Sequence, residues 1–239
     1  MSRLEKIKEF LLDLLFPPLC VSCGHDIPSS RKTSYLCLDC ESKIKIHDAL
    51  HCSVCGNRLP TENHTCHEYS GFRLGAATDY DTPVIKRLIW QLKYAKQTAA
   101  SRSLAYILHR FISQTNVPFD GYALVAIPLH SERERERGFN QAMLIGQFLS
   151  QKTGMTLITD GLIRIKNTPP QVELETWKDR EANMIDAFSI KNAEAVRDRK
   201  VIVLDDVATS GATLYQAIRT LRKAGAKKVI GLVVAKAGR

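Results

Sequence analysis

Residues 201–214 read VIVLDDVATSGATL, and several kinds of chemistry meet in that short span. Asp205 and Asp206 are adjacent carboxylates, which accept strong hydrogen bonds from hydroxyl groups. Thr209, Ser210 and Thr213 surround Gly211 with hydroxyls, and a helix starting there leaves its first backbone N–H groups unpaired. Those amides and the helix dipole both favour a phosphate. A ligand with vicinal hydroxyls and a nearby phosphate satisfies both halves. Val201–Leu204 is a continuous apolar run, expected of a strand covered on both faces of a parallel sheet. The acids then fall at the carboxyl edge of the sheet, where open α/β sheets bind their ligands.

The segment resembles the 5-phosphoribosyl-1-pyrophosphate (PRPP) signature of type I phosphoribosyltransferases. That resemblance implies Asp205 and Asp206 on the ribose hydroxyls, and Ala208, Thr209, Ser210, Gly211, Ala212 and Thr213 around the 5′-phosphate. On the residues alone, the competing reading is a strand-loop-helix unit with an Asp-capped turn and no ligand.

A second constellation follows the apolar run Tyr122–Ile127. Pro128, Leu129, His130 and Ser131 form a tight loop, Glu132–Arg137 alternates in charge, and Gly138-Phe139-Asn140-Gln141 opens a helix. Arginine forks suit a pyrophosphate because each can hold two oxygens at once. Arg133 and Arg137 are therefore candidates for a second phosphate group. The alternative is a solvated run whose local ion pairs contribute little.

All seven cysteines lie between positions 20 and 66. Cys20/Cys23, Cys37/Cys40 and Cys52/Cys55 are spaced C-x-x-C, which lets two thiolates converge on one tetrahedral ion. A redox dithiol would need a thioredoxin-like βαβ setting that this stretch lacks. Structural zinc is the expectation: Cys20, Cys23, Cys37 and Cys40 for one site, Cys52, Cys55 and Cys66 for a second. The count then runs out, and His64 or His67 must complete a Cys3His set; His64 is the first choice. A metal-free knuckle and an interleaved pairing of the turns stay open.

The elements that must position these groups follow from pattern. Residues 3–16 put Leu4, Ile7, Leu11 and Leu14 at helical spacing before Pro17-Pro18, which stops a helix. From about residue 71 an α/β alternation begins: a strand over 74–80, a helix over 83–94, a second helix over 99–114 and a strand over 122–127. Lys86, Arg87 and Lys93 read as solvated helix cations. Leu162–Ile165 and Val229–Ala235 are further strands. A turn-prone insertion at 168–171 lies between Leu162–Ile165 and a helix near 174–184, and the acceptor base would be recognised there.

The chain has 239 residues, 44% of them hydrophobic, and a net charge of +9. It suits one α/β domain over 71–239 behind a cysteine-rich module over 1–70. The charge favours phosphorylated partners without choosing among them. No apolar run approaches bilayer length and no export signal is visible, so the expectation is a cytoplasmic protein.

The cysteine module, PLHSERERERGFNQA, VIVLDDVATSGATL and the stretch Arg164-Ile-Lys-Asn-Thr168 to Ala187-Phe188 together resemble the ComF family of phosphoribosyltransferase-like proteins. The resemblance implies a Rossmann-like, mainly parallel α/β domain behind a zinc module. It also implies PRPP as ligand with Mg2+, catalysis through Asp205 and Asp206, and a part in competence and DNA uptake. The rival reading keeps the nucleotide site as a sensor in a protein that binds single-stranded DNA. The acceptor and the oligomeric state stay open.

Overall fold

The computed structural model describes residues 18–27, 35–59, 66–67, 71–168 and 184–238. Its elements, in chain order, are α1 (Leu38–Ser42), β1 (Leu50–Cys52), β2 (Arg73–Asp79), α2 (Pro83–Lys93), α3 (Ala100–Gln114), β3 (Tyr122–Ala126), α4 (Ser131–Arg137), α5 (Gln141–Thr153), β4 (Leu157–Ile158), β5 (Leu162–Arg164), β6 (Phe188–Ile190), β7 (Lys200–Ala208), α6 (Ala212–Lys223) and β8 (Lys228–Lys236). The expected helix at 3–16, the turn at 169–171 and nearly all of the helix at 174–184 lie outside the described residues.

Six strands form one sheet in the order β1-β2-β8-β7-β3-β4. The last five are parallel neighbours, and β1 adds an antiparallel edge to β2. β5 and β6 form a separate antiparallel pair. The centre of the sheet explains why its sequence is a continuous apolar run. Successive side chains of a strand point to opposite faces, so Ile202 and Leu204 join a core with α2, α3 and α5. Val201 and Val203 join a second core with α6. The result is a doubly wound α/β fold with helices on both faces, as expected.

Two details depart from the expectations. The strand expected to end at Leu204 continues through both acids to Ala208, with Asp205 opposite Val233 and Ala208 opposite Lys236 of β8. Backbone groups make that ladder, so β8 goes on pairing whatever the polarity of the facing side chains. The second departure is β1, which brings the cysteine stretch into the main sheet: Leu50 pairs with Gly75 and Cys52 with Arg73. The sheet therefore runs across the boundary expected at residue 70.

Phe72 fastens this junction. Its backbone N–H donates to Ser53 Oγ at 2.9 Å and its carbonyl accepts from the Ser53 N–H at 3.0 Å. Its ring lies against Gly231, where an added Cβ would come within 2.9 Å of it.

Candidate active site and metal centres

α2 begins at Pro83, and its buried stripe of Ile85, Leu88, Ile89 and Leu92 seats it on the sheet. That seating carries Lys93, the last helical residue, to the acids. Its Nζ lies 2.7 Å from Asp206 Oδ2, and the Asp206 side chain is only 3% exposed. Strand alternation accounts for the pairing: Asp206 has the parity of Ile202 and Leu204, whose core includes α2. Asp206 Oδ1 also accepts from the Val207 N–H at 2.9 Å, and Asp205 Oδ1 from the Asp206 N–H at 2.8 Å.

Burial, and then the neighbouring Asp206, push Asp205 up to about 8, against the pull of Lys93. Burial works against the charge on Lys93, but Asp206 outweighs it and holds the ammonium above the ordinary lysine value.

Beyond β7 the chain turns through Thr209-Ser210-Gly211 into α6. Gly211 adopts a left-handed φ of 78° as the N-cap, a conformation that disfavours other residues, and it has no side chain to cap the helix. Ser210 Oγ accepts from the Ala212 N–H at 3.3 Å. The first turn of this twelve-residue helix thus presents amides and hydroxyls together.

The alternating-charge run is a helix, α4, capped by His130, whose ring accepts from the Glu132 N–H at 3.4 Å. Helical spacing puts Arg133 and Arg137 on one face; both are half-buried, whereas Arg135 is exposed. Arg133 donates to the Thr168 carbonyl and Arg137 to Gln141 Oε1.

A cavity of about 260 Å³ brings these groups together. Asp205, Asp206, Arg133, Arg137, Leu129 and residues 208–213 all line it, as do Lys93 and Arg164. Pro128, His130 and Ser131 are not among its lining residues. Lys93, expected to be a solvated helix cation, is instead turned inward onto Asp206, and Arg164 is a second cavity cation that no motif marks. The signal for Lys93 was present: it lies four residues after Ile89 and eight after Ile85, so it prolongs the buried stripe. Arg164 has a guanidinium 5.8 Å from the Phe188 ring centre. Burial, and then Arg133, lower its affinity for a proton, while Asp205 raises it.

The cysteines form two clusters, Cys20/Cys23/Cys37/Cys40 and Cys52/Cys55/Cys66/His67, with all donor atoms of each within 4.8 Å of one another. Cys23 and Cys37 sulfurs are 3.8 Å apart, Cys55 and Cys66 sulfurs 3.5 Å, and Cys52 Sγ is 3.4 Å from His67 Nδ1. Thiolates at zinc–sulfur bond length on a tetrahedron are about 3.8 Å apart, so both donor sets fit zinc. Burial raises the Cys20 thiol, but N–H groups of Cys37, Cys23 and Ser22 outweigh it and bring it down to about 6. The fourth donor of the second cluster among the described residues is His67, and His64 lies outside them.

Residues 11–70 match the family described as double zinc ribbon domain, and residues 144–239 the phosphoribosyl transferase domain. Competence protein F of Haemophilus influenzae is 29% identical over 219 residues, covering 88% of this chain and 93% of that protein. DNA utilization protein YhgH of Salmonella typhi is 27% identical over 215 residues, covering 88% and 87%. Competence protein ComFC of Bacillus subtilis is 29% identical over 201 residues, covering 80% and 79%.

Proposed function

We propose that this chain, which belongs to the ComF family of phosphoribosyltransferase-like proteins, binds PRPP and transfers its phosphoribosyl group with release of pyrophosphate. One observation carries the reading: two carboxylates, a phosphate-type helix start and two half-buried arginines line a single cavity.

The 5′-phosphate would sit on residues 209–213, held by backbone amides and hydroxyls. The ribose hydroxyls would donate to Asp205 and Asp206. Arg133 and Arg137 would take the pyrophosphate in bidentate contacts as it leaves. As the anomeric carbon–oxygen bond lengthens, positive charge grows on the sugar, and the Asp206 carboxylate, once the donor draws it from Lys93, would stabilise it. Catalysis then comes from positioning and fixed charge and needs no protein nucleophile. Mg2+ would add charge neutralisation on phosphate oxygens, and Asp205 and Asp206 are the carboxylates suited to it. The ion pair already neutralises Asp206, so a diol or cation arriving there competes with Lys93.

Pyrophosphate release from PRPP and Mg2+, with a panel of acceptors, tests the reaction. Wild type should release it and the Asp205→Asn/Asp206→Asn double variant should not. A wild type silent with every acceptor, yet able to bind PRPP, would favour the sensor reading. Relatives named as competence and DNA utilization proteins, together with the net charge of +9, support a part in DNA handling for either activity, with single-stranded DNA as the proposed partner.

A further inference from the structure

α2 and its C-cap form one wall of the charged cavity, where Ile89, Trp90, Lys93 and Tyr94 all line it. Two side chains bracket this stretch, and both reach the first cysteine cluster. Arg87, expected as a solvated cation, donates to the carbonyl of Val21, which lies between the cluster residues Cys20 and Cys23. Gln97 Oε1 accepts from the hydroxyl of Tyr35, two residues before Cys37. The bracket closes on itself, because the Val21 N–H donates to the Tyr35 carbonyl at 2.8 Å. Arg87 therefore holds the loop of the first C-x-x-C pair, and Gln97 holds the approach to the second.

The turn that follows Lys93 is tightly held. Lys96 takes a left-handed φ of 54°, a conformation that persists where its surroundings over-determine it. The Gln97 N–H folds back onto the Gln91 carbonyl at 3.0 Å, and Lys96 Nζ donates to the Glu136 carbonyl at 3.1 Å. Beneath these polar contacts, Cys20, Val21 and Leu36 share one core with Ile85, Leu88, Ile89 and Leu92. A close-packed core transmits a displacement instead of absorbing it.

We infer that Arg87 and Gln97 are positioning residues through which the first cysteine cluster fixes the α2 wall of the cavity, so that metal in the cluster and PRPP in the cavity strengthen each other's binding. The inference rests on the reading of the cavity as a PRPP site. A tetrahedral ion held by both cysteine pairs joins their two loops. The joined loops keep Arg87 and Gln97 in register, and with them Lys93 opposite Asp206. Loss of the ion leaves the loops tied by hydrogen bonds alone, and the wall must then be ordered by the ligand at a cost to its affinity. Linkage between two binding sites is reciprocal, so PRPP must in turn slow the loss of metal.

The test is a chelator challenge on the full chain. Thermal shift with PRPP and Mg2+ first establishes that the cavity is filled. Zinc release to excess 4-(2-pyridylazo)resorcinol is then followed with and without PRPP, and the phase that survives in Cys55→Ser belongs to the first cluster. PRPP should slow that phase about fivefold or more. In Arg87→Met/Gln97→Leu the PRPP shift should persist, while the slowing falls below about twofold. Gln97→Glu, which keeps an acceptor for the Tyr35 hydroxyl, should behave as wild type. Tyr35→Phe deletes a single oxygen and should also reduce the slowing, which keeps the test open if the double variant does not fold. Undiminished slowing in the folded double variant or in Tyr35→Phe, or no slowing despite a normal PRPP shift, overturns the inference and leaves the PRPP site standing. Slowing confined to the phase that Cys55→Ser abolishes also overturns it, assigning the linkage to the second cluster. Absence of any PRPP shift removes the PRPP reading and this linkage with it.

Discussion

Asp205 and Asp206 share a strand end, yet one is pushed up to about 8 and the other is tied to Lys93. Folding raises Asp205 far above the ordinary carboxylate value, so the native state binds a proton that the unfolded chain releases. That contribution is complete below about pH 4 and is lost as pH rises through about 8. Asp205→Asn removes the ionisable group. Its stability relative to wild type should therefore improve steadily as pH rises from 4 towards 8, by at most about 1.4 kcal/mol per pH unit, measured by denaturant unfolding without ligand. A constant difference across that range would place Asp205 in water. Lys93→Met should do the opposite, stranding a buried carboxylate at a cost of about 3 kcal/mol. Adding Asp206→Asn should recover most of that loss, which a double-mutant cycle checks. The acids were legible in the sequence because an apolar run with a fixed period ends on them. The partnership with Lys93 was not, since it joins residues over a hundred positions apart through the seating of α2.

At the scale of elements, two side chains beside β1 link the second cysteine cluster to the turn before α6. Ser53 lies between the cluster ligands Cys52 and Cys55 and exchanges two hydrogen bonds with Phe72. The Phe72 ring packs on Gly231 and reaches Gly211, where an added Cβ would be 3.6 Å away. Loss of metal from Cys52/Cys55/Cys66/His67 should therefore loosen the turn before α6. Cys55→Ser should lower zinc content by one ion per chain and weaken PRPP binding several-fold, read by elemental analysis and calorimetry. Unchanged affinity at reduced zinc would uncouple the two. Gly231→Val, which drives a side chain into Phe72, should cost about 1–3 kcal/mol or more. Long periodic elements such as α2, α3 and the parallel strands were visible from hydrophobic spacing alone. β1 was not: three residues carry no period, and their pairing with β2 depends on what lies more than twenty positions away.

For the whole molecule, a doubly wound sheet opens its carboxyl edge into one charged cavity, while the cysteine stretch extends the far side of the same sheet. Among the described residues no helix is long and apolar enough to cross a membrane. The net charge of +9 is the basis for proposing weak, sequence-independent binding of single strands. Its affinity should fall several-fold or more between 50 and 200 mM salt in fluorescence anisotropy. Salt-independent binding would point to a specific pocket instead. Whether the cavity at the end of β7 holds PRPP is decided by thermal unfolding. At a hundred times its dissociation constant, a ligand bound only by the folded state adds roughly 2.7 kcal/mol. PRPP with Mg2+ should then raise the midpoint of the phosphoribosyltransferase domain by about 5–10 °C in wild type. Asp205→Asn/Asp206→Asn, folded normally, should show no rise. A wild type with no shift would mean that this cavity does not hold PRPP, and a double variant that shifts as far as wild type would mean that PRPP binds elsewhere.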